Sequence, residues 1–299
     1  MTDVSTSSQP SPVGTQPMRL QIRHFTRYVY EGDARDSFND ARLCPITDGR
    51  QRCEDFQLVV RPKVPVNTYF DFYQNRVDHF ELPDPHGWLE VESRAVVHTR
   101  PDLRGEPPEA VPPSLLNDPG IEDNYFDFLA DSHYVTLEPE AWREAIDVLP
   151  NGVTCLWRDS LAIGRHVFQT FTYTPAATQA NTRMIDALRS RRGVCQDYAH
   201  VMLAMCRTQG IPSRYVSGYF FNERRQPGEV EASHAWVEIF LPGYGWKGYD
   251  PTHDRLADTR YVKLAVGRDY ADIRPLAGTY RGKGTKELIV EVEVAGGLK

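Results

Sequence analysis

Arg192-Gly193-Val194-Cys195-Gln196-Asp197-Tyr198-Ala199-His200 is the stretch from which the fold is read. It opens a segment, 196–209, in which Tyr198, Val201, Met202, Met205 and Cys206 recur at the i, i+3, i+4, i+7 spacing of one helix face. Gly210 stands where a left-handed residue closes a helix, and Pro212 cannot continue it. Gly193 separates this helix from a shorter helical pattern over 182–189 and permits a tight turn. Cys195 therefore falls in the first turn. The unpaired N–H groups and positive dipole end there favour an anion. A thiolate is such an anion and is the nucleophilic form of cysteine. The same N–H groups suit an oxyanion. A cysteine packed as a core residue at a helix start has the same local sequence, so position alone leaves both readings open.

Downstream, strand character follows over 214–221, 235–241, 246–249 and 287–294. In the last, Leu288, Val290, Val292 and Val294 share one side. One central helix followed by antiparallel strands predicts an α+β architecture. His234 begins the second of these strands between Ser233 and Ala235, small neighbours that let an imidazole approach another element. An imidazole titrates near neutrality and suits a proton shuttle to a thiol. Asp250 ends the next strand, before Pro251 stops it. Adjacent antiparallel strands would set His234 and Asp250 side by side, where a carboxylate fixes the imidazole tautomer. A half-buried strand histidine and a turn aspartate before proline are the ordinary alternatives. The order of the three is more specific than any one.

Upstream, 20–30 alternates at the strand period, and 56–60, 68–72 and 88–98 read as further strands. In the last, Leu89, Val91, Ala95 and Val97 oppose Glu90, Glu92 and Arg94. Gly, Pro, Asn and Asp punctuate the gaps, which suits a sandwich or open sheet. Five prolines within 101–113 mark a linker. Short helices are expected over 121–129, 139–148 and 157–171. The expected division is a disordered tail at 1–17, a β-rich N-terminal domain at 18–100, a linker with short helices at 101–155, and a catalytic domain at 156–299.

Composition narrows the function. The 299 residues carry 34 Lys plus Arg against 41 Asp plus Glu, a net charge of -7. The basic runs 189–192 and Arg224-Arg225 are too short for a nucleic-acid face. No run approaches the roughly 18 apolar residues of a membrane span. The Ser-, Thr-, Pro- and Gln-rich first sixteen residues lack the basic and apolar regions of a secretory signal, so a cytoplasmic location is expected. The five cysteines, Cys44, Cys53, Cys155, Cys195 and Cys206, are odd in number and widely spaced. With no CxxC and no HExxH, neither a metal nor a cofactor is expected. Free thiols in a reducing compartment fit, with Cys44 and Cys206 as buried packing residues.

Taken together, Gly193-Val-Cys195-Gln-Asp197-Tyr-Ala-His200, Gly210-Ile-Pro212-Ser-Arg214-Tyr-Val-Ser-Gly218-Tyr219, His234-Ala-Trp236-Val-Glu238 and Gly245-Trp246 to Asp250-Pro251-Thr252 resemble the transglutaminase-like superfamily, specifically its bacterial cysteine peptidase group. The strands from Leu20 to His98 look like the β domain preceding this core, and Gly267 to Asp272 like its tail. The resemblance implies a papain-like core with a catalytic triad of Cys195, His234 and Asp250. It also implies thioester formation on a carbonyl of a protein or peptide, then transfer to water or an amine. Water makes a peptidase or amidase; a lysine or polyamine makes a protein-glutamine γ-glutamyltransferase. A partner-binding scaffold with an unused cleft is the reading from another class. Asp197 and His200 point away from the thiol at helical offsets and are expected to serve structure. Trp236 and Trp246 suit core or cleft wall. Tyr270 and Asp272 suit either cleft lining or a surface loop.

Overall fold

The computed structural model describes residues 16–105, 107, 111–175, 178, 181–223 and 233–298. The expected tail, apart from residues 16 and 17, lies outside these residues, as do Arg224 and Arg225. Strand β1 (Met18–Ala41) leads into β2 (Gln51–Arg61), β3 (Val66–Phe70), β4 (Arg76–Leu82) and β5 (His86–Thr99). Alternation explains β1: Leu20 and Ile22 are buried, while Gln21 between them is exposed. At 24 residues it runs well past the alternating stretch visible in the sequence. Its first half pairs with β5, its end with β4, and the register slips between Val29 and Ala34. Gly32, at φ +76°, takes the left-handed conformation within that slip.

Helices α1 (Pro119–Tyr125), α2 (Pro139–Val148), α3 (Leu156–Thr170), α4 (Met184–Ser190) and α5 (Cys195–Thr208) follow. Two-residue strands β6 (Thr172–Tyr173) and β7 (Arg192–Gly193) pair in parallel just before α5. A second sheet is built from β8 (Ser213–Phe220), β9 (His234–Leu241), β10 (Gly245–Asp250), β11 (Arg255–Leu256) and β12 (Tyr261–Gly267). Its order is β11-β10-β9-β8-β12, antiparallel throughout. Helix α5 was expected to bury one face. Instead every residue from Asp197 to Arg207 is buried, between β8 and β9 on one side and α2, α3 and α4 on the others. A helix enclosed on all sides must be apolar all round, apart from polar groups with partners. Helix α3 approaches the sheet closely: a Cβ at Gly164 would sit 2.2 Å from the Tyr249 ring. The papain-like α+β core preceded by a β-rich region is the observed architecture. Among the described residues no helix is long and apolar enough to cross a membrane.

The last strands depart from the expected division. Strands β13 (Leu276–Arg281) and β14 (Thr285–Leu298) hydrogen-bond to β1, so residues 276–298 complete the first sheet and do not extend the second. Local alternation shows that a segment is a strand but not which sheet it joins. Strands β4, β12 and β13 were not foreseen either.

The two sheets share a core. Leu20, Ile22, Val97 and Val292 of the first pack with Tyr219, Val262 and Leu264 of the second. The outer edge of β12 is closed by two side-chain amides. Gln51 donates to the Lys263 carbonyl at 2.8 Å and accepts from its N–H at 2.8 Å. Asn75 does the same with Val266, at 2.8 Å in both directions. Each amide imitates the missing neighbour strand and blunts a sheet edge. Beneath them lies Glu238, nearly fully buried, held by Arg214 at 2.6 Å and Lys263 at 2.5 Å. Burial opposes its charge, but Lys263 and Arg214 outweigh that and lower its carboxyl to about 2.

Candidate active site

Cys195, His234 and Asp250 come from three different elements and meet at one place. Cys195 is the first residue of α5, with Val194 as the extended cap before it. His234 is the first residue of β9, and Asp250 the last of the adjacent β10. His234 Nε2 donates to Asp250 Oδ2 at 2.7 Å. Its other ring nitrogen, Nδ1, is left for Cys195, whose side chain hydrogen-bonds to the ring. The ring keeps 11% of its surface exposed, and the Asp250 carboxylate none.

Electrostatics follow from this geometry. Burial works against a charged His234 ring, but Asp250 and Cys195 overcome it and raise the imidazole to about 10. Burial likewise opposes the Asp250 charge. The His234 charge and the hydrogen bonds from His234 and His253 prevail, holding the carboxyl well below its ordinary range. Asp250 is fully engaged: Oδ2 also accepts from His253 Nδ1 and the Tyr261 hydroxyl, each at 2.7 Å, and Oδ1 accepts from the Thr252 N–H at 2.8 Å. Four donors fix its orientation, and it in turn fixes the His234 ring.

Among the described residues, His234, Asp250 and His253 form the one group with three potential metal-ligand atoms mutually within 4.8 Å. Both histidines already present those nitrogens to the carboxylate as proton donors.

The thiol opens on a cavity of about 470 Å³. Tyr173, Tyr215, Phe220 and Tyr270 supply aromatic walls, with Gln196, Asn222 and His253 as polar groups. β6 brings Tyr173 there by pairing it with Gly193. Tyr215 and Ser217 alternate inward from β8. Tyr270 lines the cleft, whereas Asp272 turns away to pair with Arg268 at 2.9 Å. Trp236 is core, and Trp246 packs under the Arg214 guanidinium 4.1 Å from its ring centre.

Asp197 and His200 serve the scaffold. Asp197 Oδ2 accepts from the Val194 N–H at 2.8 Å and the Thr178 hydroxyl at 2.6 Å, capping the helix that carries Cys195. This explains Gly193 differently from the turn expected for it. A Cβ at that position would lie 2.4 Å from Asp197 Oδ2, so glycine leaves room for the cap. His200 is buried and its ring is lowered to about 4 by burial, hence neutral. Its Nε2 accepts from the Tyr270 N–H at 3.2 Å, which tethers that wall of the cleft to α5. Sequence reasoning missed His253 and Tyr261. His253 stands three residues after Asp250, close enough in the chain to have been weighed; nothing local marks Tyr261.

Two family models match the chain: the transglutaminase-like superfamily over residues 158–251, and the bacterial transglutaminase-like N-terminal region over residues 20–98. An uncharacterized protein of Mycobacterium leprae is 34% identical over 286 residues, spanning 92% of this chain and 98% of its own. The protein-glutamine γ-glutamyltransferase of Pseudomonas aeruginosa is 34% identical over 126 residues, 38% of this chain and 19% of its own. Among solved structures, a candidate cysteine protease from Cytophaga hutchinsonii superposes with a TM-score of 0.73 at 23% identity, covering 93% of this chain and 91% of that one. That likeness speaks to the fold.

Proposed function

The chain belongs to the transglutaminase-like superfamily, and from that premise we propose that it is a cysteine-dependent hydrolase of peptide or isopeptide amides with Cys195, His234 and Asp250 as its triad. The observation that carries the reading is the chain of contacts from the cleft-facing thiol through His234 to the four-donor Asp250. The Cys195 thiolate attacks the carbonyl carbon of the amide. The Cys195 N–H, at the positive end of α5, holds the oxyanion. Imidazolium His234 gives its Nδ1 proton to the nitrogen as the C–N bond breaks, so an amine leaves and a thioester remains. Neutral His234 then takes a proton from water. The resulting hydroxide attacks the thioester, the C–S bond breaks, and acid and thiolate are released. Asp250 holds the ring in the tautomer that presents Nδ1 throughout. The chemistry needs only these side chains and water. Five free cysteines are in keeping with a reducing, cytoplasmic setting, which subcellular fractionation tests.

Transfer of the acyl group to an amine is the second reading, favoured by the similarity to the Pseudomonas γ-glutamyltransferase. One experiment separates them. A glutamine-containing protein is incubated with the enzyme and a fluorescent primary amine, and ammonia, new termini and label are measured together. Hydrolysis gives new carboxylates without label; transfer gives label in proportion to ammonia. Replacing Cys195 by alanine abolishes either, with thermal unfolding nearly unchanged. Undiminished turnover in Cys195→Ala overturns the assignment.

A further inference from the structure

Two of the remaining thiols line a second cavity, apart from the Cys195 cleft. Cys44 lies three residues beyond the end of β1, and Cys53 is the third residue of β2. Strand β5 lies between β1 and β2 in the sheet. A bulge between Cys53 and Asp55 interrupts the regular pairing of β2 with β5. The two thiols act directly on one another's charge. Cys44 Sγ also lies 3.7 Å from the Pro45 carbonyl, and Cys53 Sγ 3.3 Å from that of Asp55. Both sulfurs wall one cavity of about 570 Å³ together with Phe56, Phe70 and Arg76. Cys44 is buried and Cys53 only partly so. The Arg76 guanidinium sits over the Phe56 ring, 5.0 Å from its centre, and pairs with Asp78 at 3.0 Å, which fixes a cation beside the pair. The mutual effect of the thiols lowers Cys53 and raises Cys44, and Arg76 favours negative charge on both. One sulfur is thus partly exposed and shifted toward the thiolate, against burial and the nearby Asp55 carboxylate, with a more buried and less acidic partner beside it.

The segment between them matters. Residues 44–53 carry Gln51, which closes the β12 edge, and Asp48, which reaches Lys263 at 3.1 Å. The Ile46 N–H bonds to the Lys263 carbonyl at 3.1 Å. The two cysteines therefore stand at the two ends of the clasp that holds the second sheet.

We propose that Cys53 and Cys44 are a thiol–disulfide couple in which a hydroperoxide oxidises Cys53 and Cys44 resolves it, closing the clasp into a covalent loop where it rests against the second sheet. The Cys53 thiolate attacks one peroxide oxygen, the O–O bond breaks, and hydroxide leaves, giving a sulfenic acid. Cys44 sulfur attacks the sulfenic sulfur, the S–S bond forms, and the S–O bond breaks. The departing hydroxide takes up the Cys44 proton as water. Two thiols lose two electrons, and the peroxide is reduced. The couple is separate from Cys195 and does not depend on the proposed amide chemistry.

The test is peptide mass spectrometry of the full chain carrying Cys195→Ala, treated with hydrogen peroxide at low molar excess. A Cys44–Cys53 linked peptide is expected, reversed by dithiothreitol, with the unfolding temperature of the oxidised form several degrees higher. In Cys44→Ser, Cys53 is expected to stop at the sulfenic acid and be trapped by dimedone. Oxidation of Cys53 to the sulfinic or sulfonic acid with Cys44 still free in the parent chain overturns the proposal, as does failure of either thiol to react. If Cys44→Ser does not fold, the map of the parent chain decides alone.

Discussion

Replacing Asp250 by asparagine removes a charge while keeping the shape of the side chain, and the structure sets the size of the effect. His234 is raised from near 6.5 to about 10. At ~1.4 kcal/mol for each factor of ten, that corresponds to about 5 kcal/mol in favour of the charged ring. Asp250 heads the favourable contributions, ahead of Cys195. If it supplies between half and nearly all of that figure, Asp250→Asn weakens protonation of the His234 ring by roughly 2 to 5 kcal/mol, or ~30- to 4,000-fold. The amide can also offer its NH2 group to His234 Nε2, which would put the neutral ring's proton on Nδ1 and leave no lone pair there to accept a proton from Cys195. The assay needs no substrate: the rate of iodoacetamide alkylation at Cys195, which falls as the neighbouring ring loses its charge, is followed by peptide mass spectrometry at about pH 7. At least a tenfold fall is expected, with circular dichroism unchanged. His253→Ala serves for comparison: its Nδ1 bonds the same Oδ2 that His234 uses, but the ring is 38% exposed and the substitution leaves the carboxylate charge in place; its effect should stay below tenfold. An Asp250→Asn protein that alkylates within threefold of the parent would show that the carboxylate does not sustain the ion pair.

Two further outcomes follow from the charges. Because folding raises His234, its contribution to stability is complete below pH ~6.5 and is lost as pH rises through about 10, and kcat/KM for amide cleavage should show an alkaline limb near that value; a limb near pH 7 would remove the ion pair from the resting enzyme. Glu238 is lowered to about 2, so its contribution is present above its ordinary carboxylate value and lost as pH falls through about 2; Glu238→Ala leaves Lys263 and Arg214 without their buried partner and should cost about 3 to 5 kcal/mol in denaturant unfolding at neutral pH, with a loss under 1 kcal/mol counting against the network.

The central helix and the strands that bring His234 and Asp250 to Cys195 were legible because each obeys a local rule. Helix α5 shows the 3.6-residue period, and β9 and β10 are short apolar runs with a defined stop at Pro251. Strand β4 was missed because its sequence, Arg-Val-Asp-His-Phe-Glu-Leu, hides Asp78 inside, where Arg76 and Thr68 bond to it. A buried carboxylate breaks the alternation that identifies a strand. Strand β12 was missed for a related reason. It is buried along its whole length, Lys263 included, so it has no polar face to alternate with. Tyr261 reaches Asp250 only through the placement of β12, a relation between elements that no spacing in the chain encodes. The expected boundary at 156–299 failed at its far end for the same reason, since pairing partners are chosen in three dimensions.

The register of β1 against β14 places Met18 beside Leu298. The first sheet therefore joins two strands that lie far apart in the chain, and β1 is synthesised well before β14. Until β14 arrives, one hydrogen-bonding edge of β1 stands open along thirteen paired positions, from Met18 to Tyr30. Such separation in sequence raises the contact order, which slows folding, and leaves a long apolar edge free to pair with a neighbouring chain during the delay. Refolding yield should consequently fall as protein concentration rises, even though the finished molecule buries that edge.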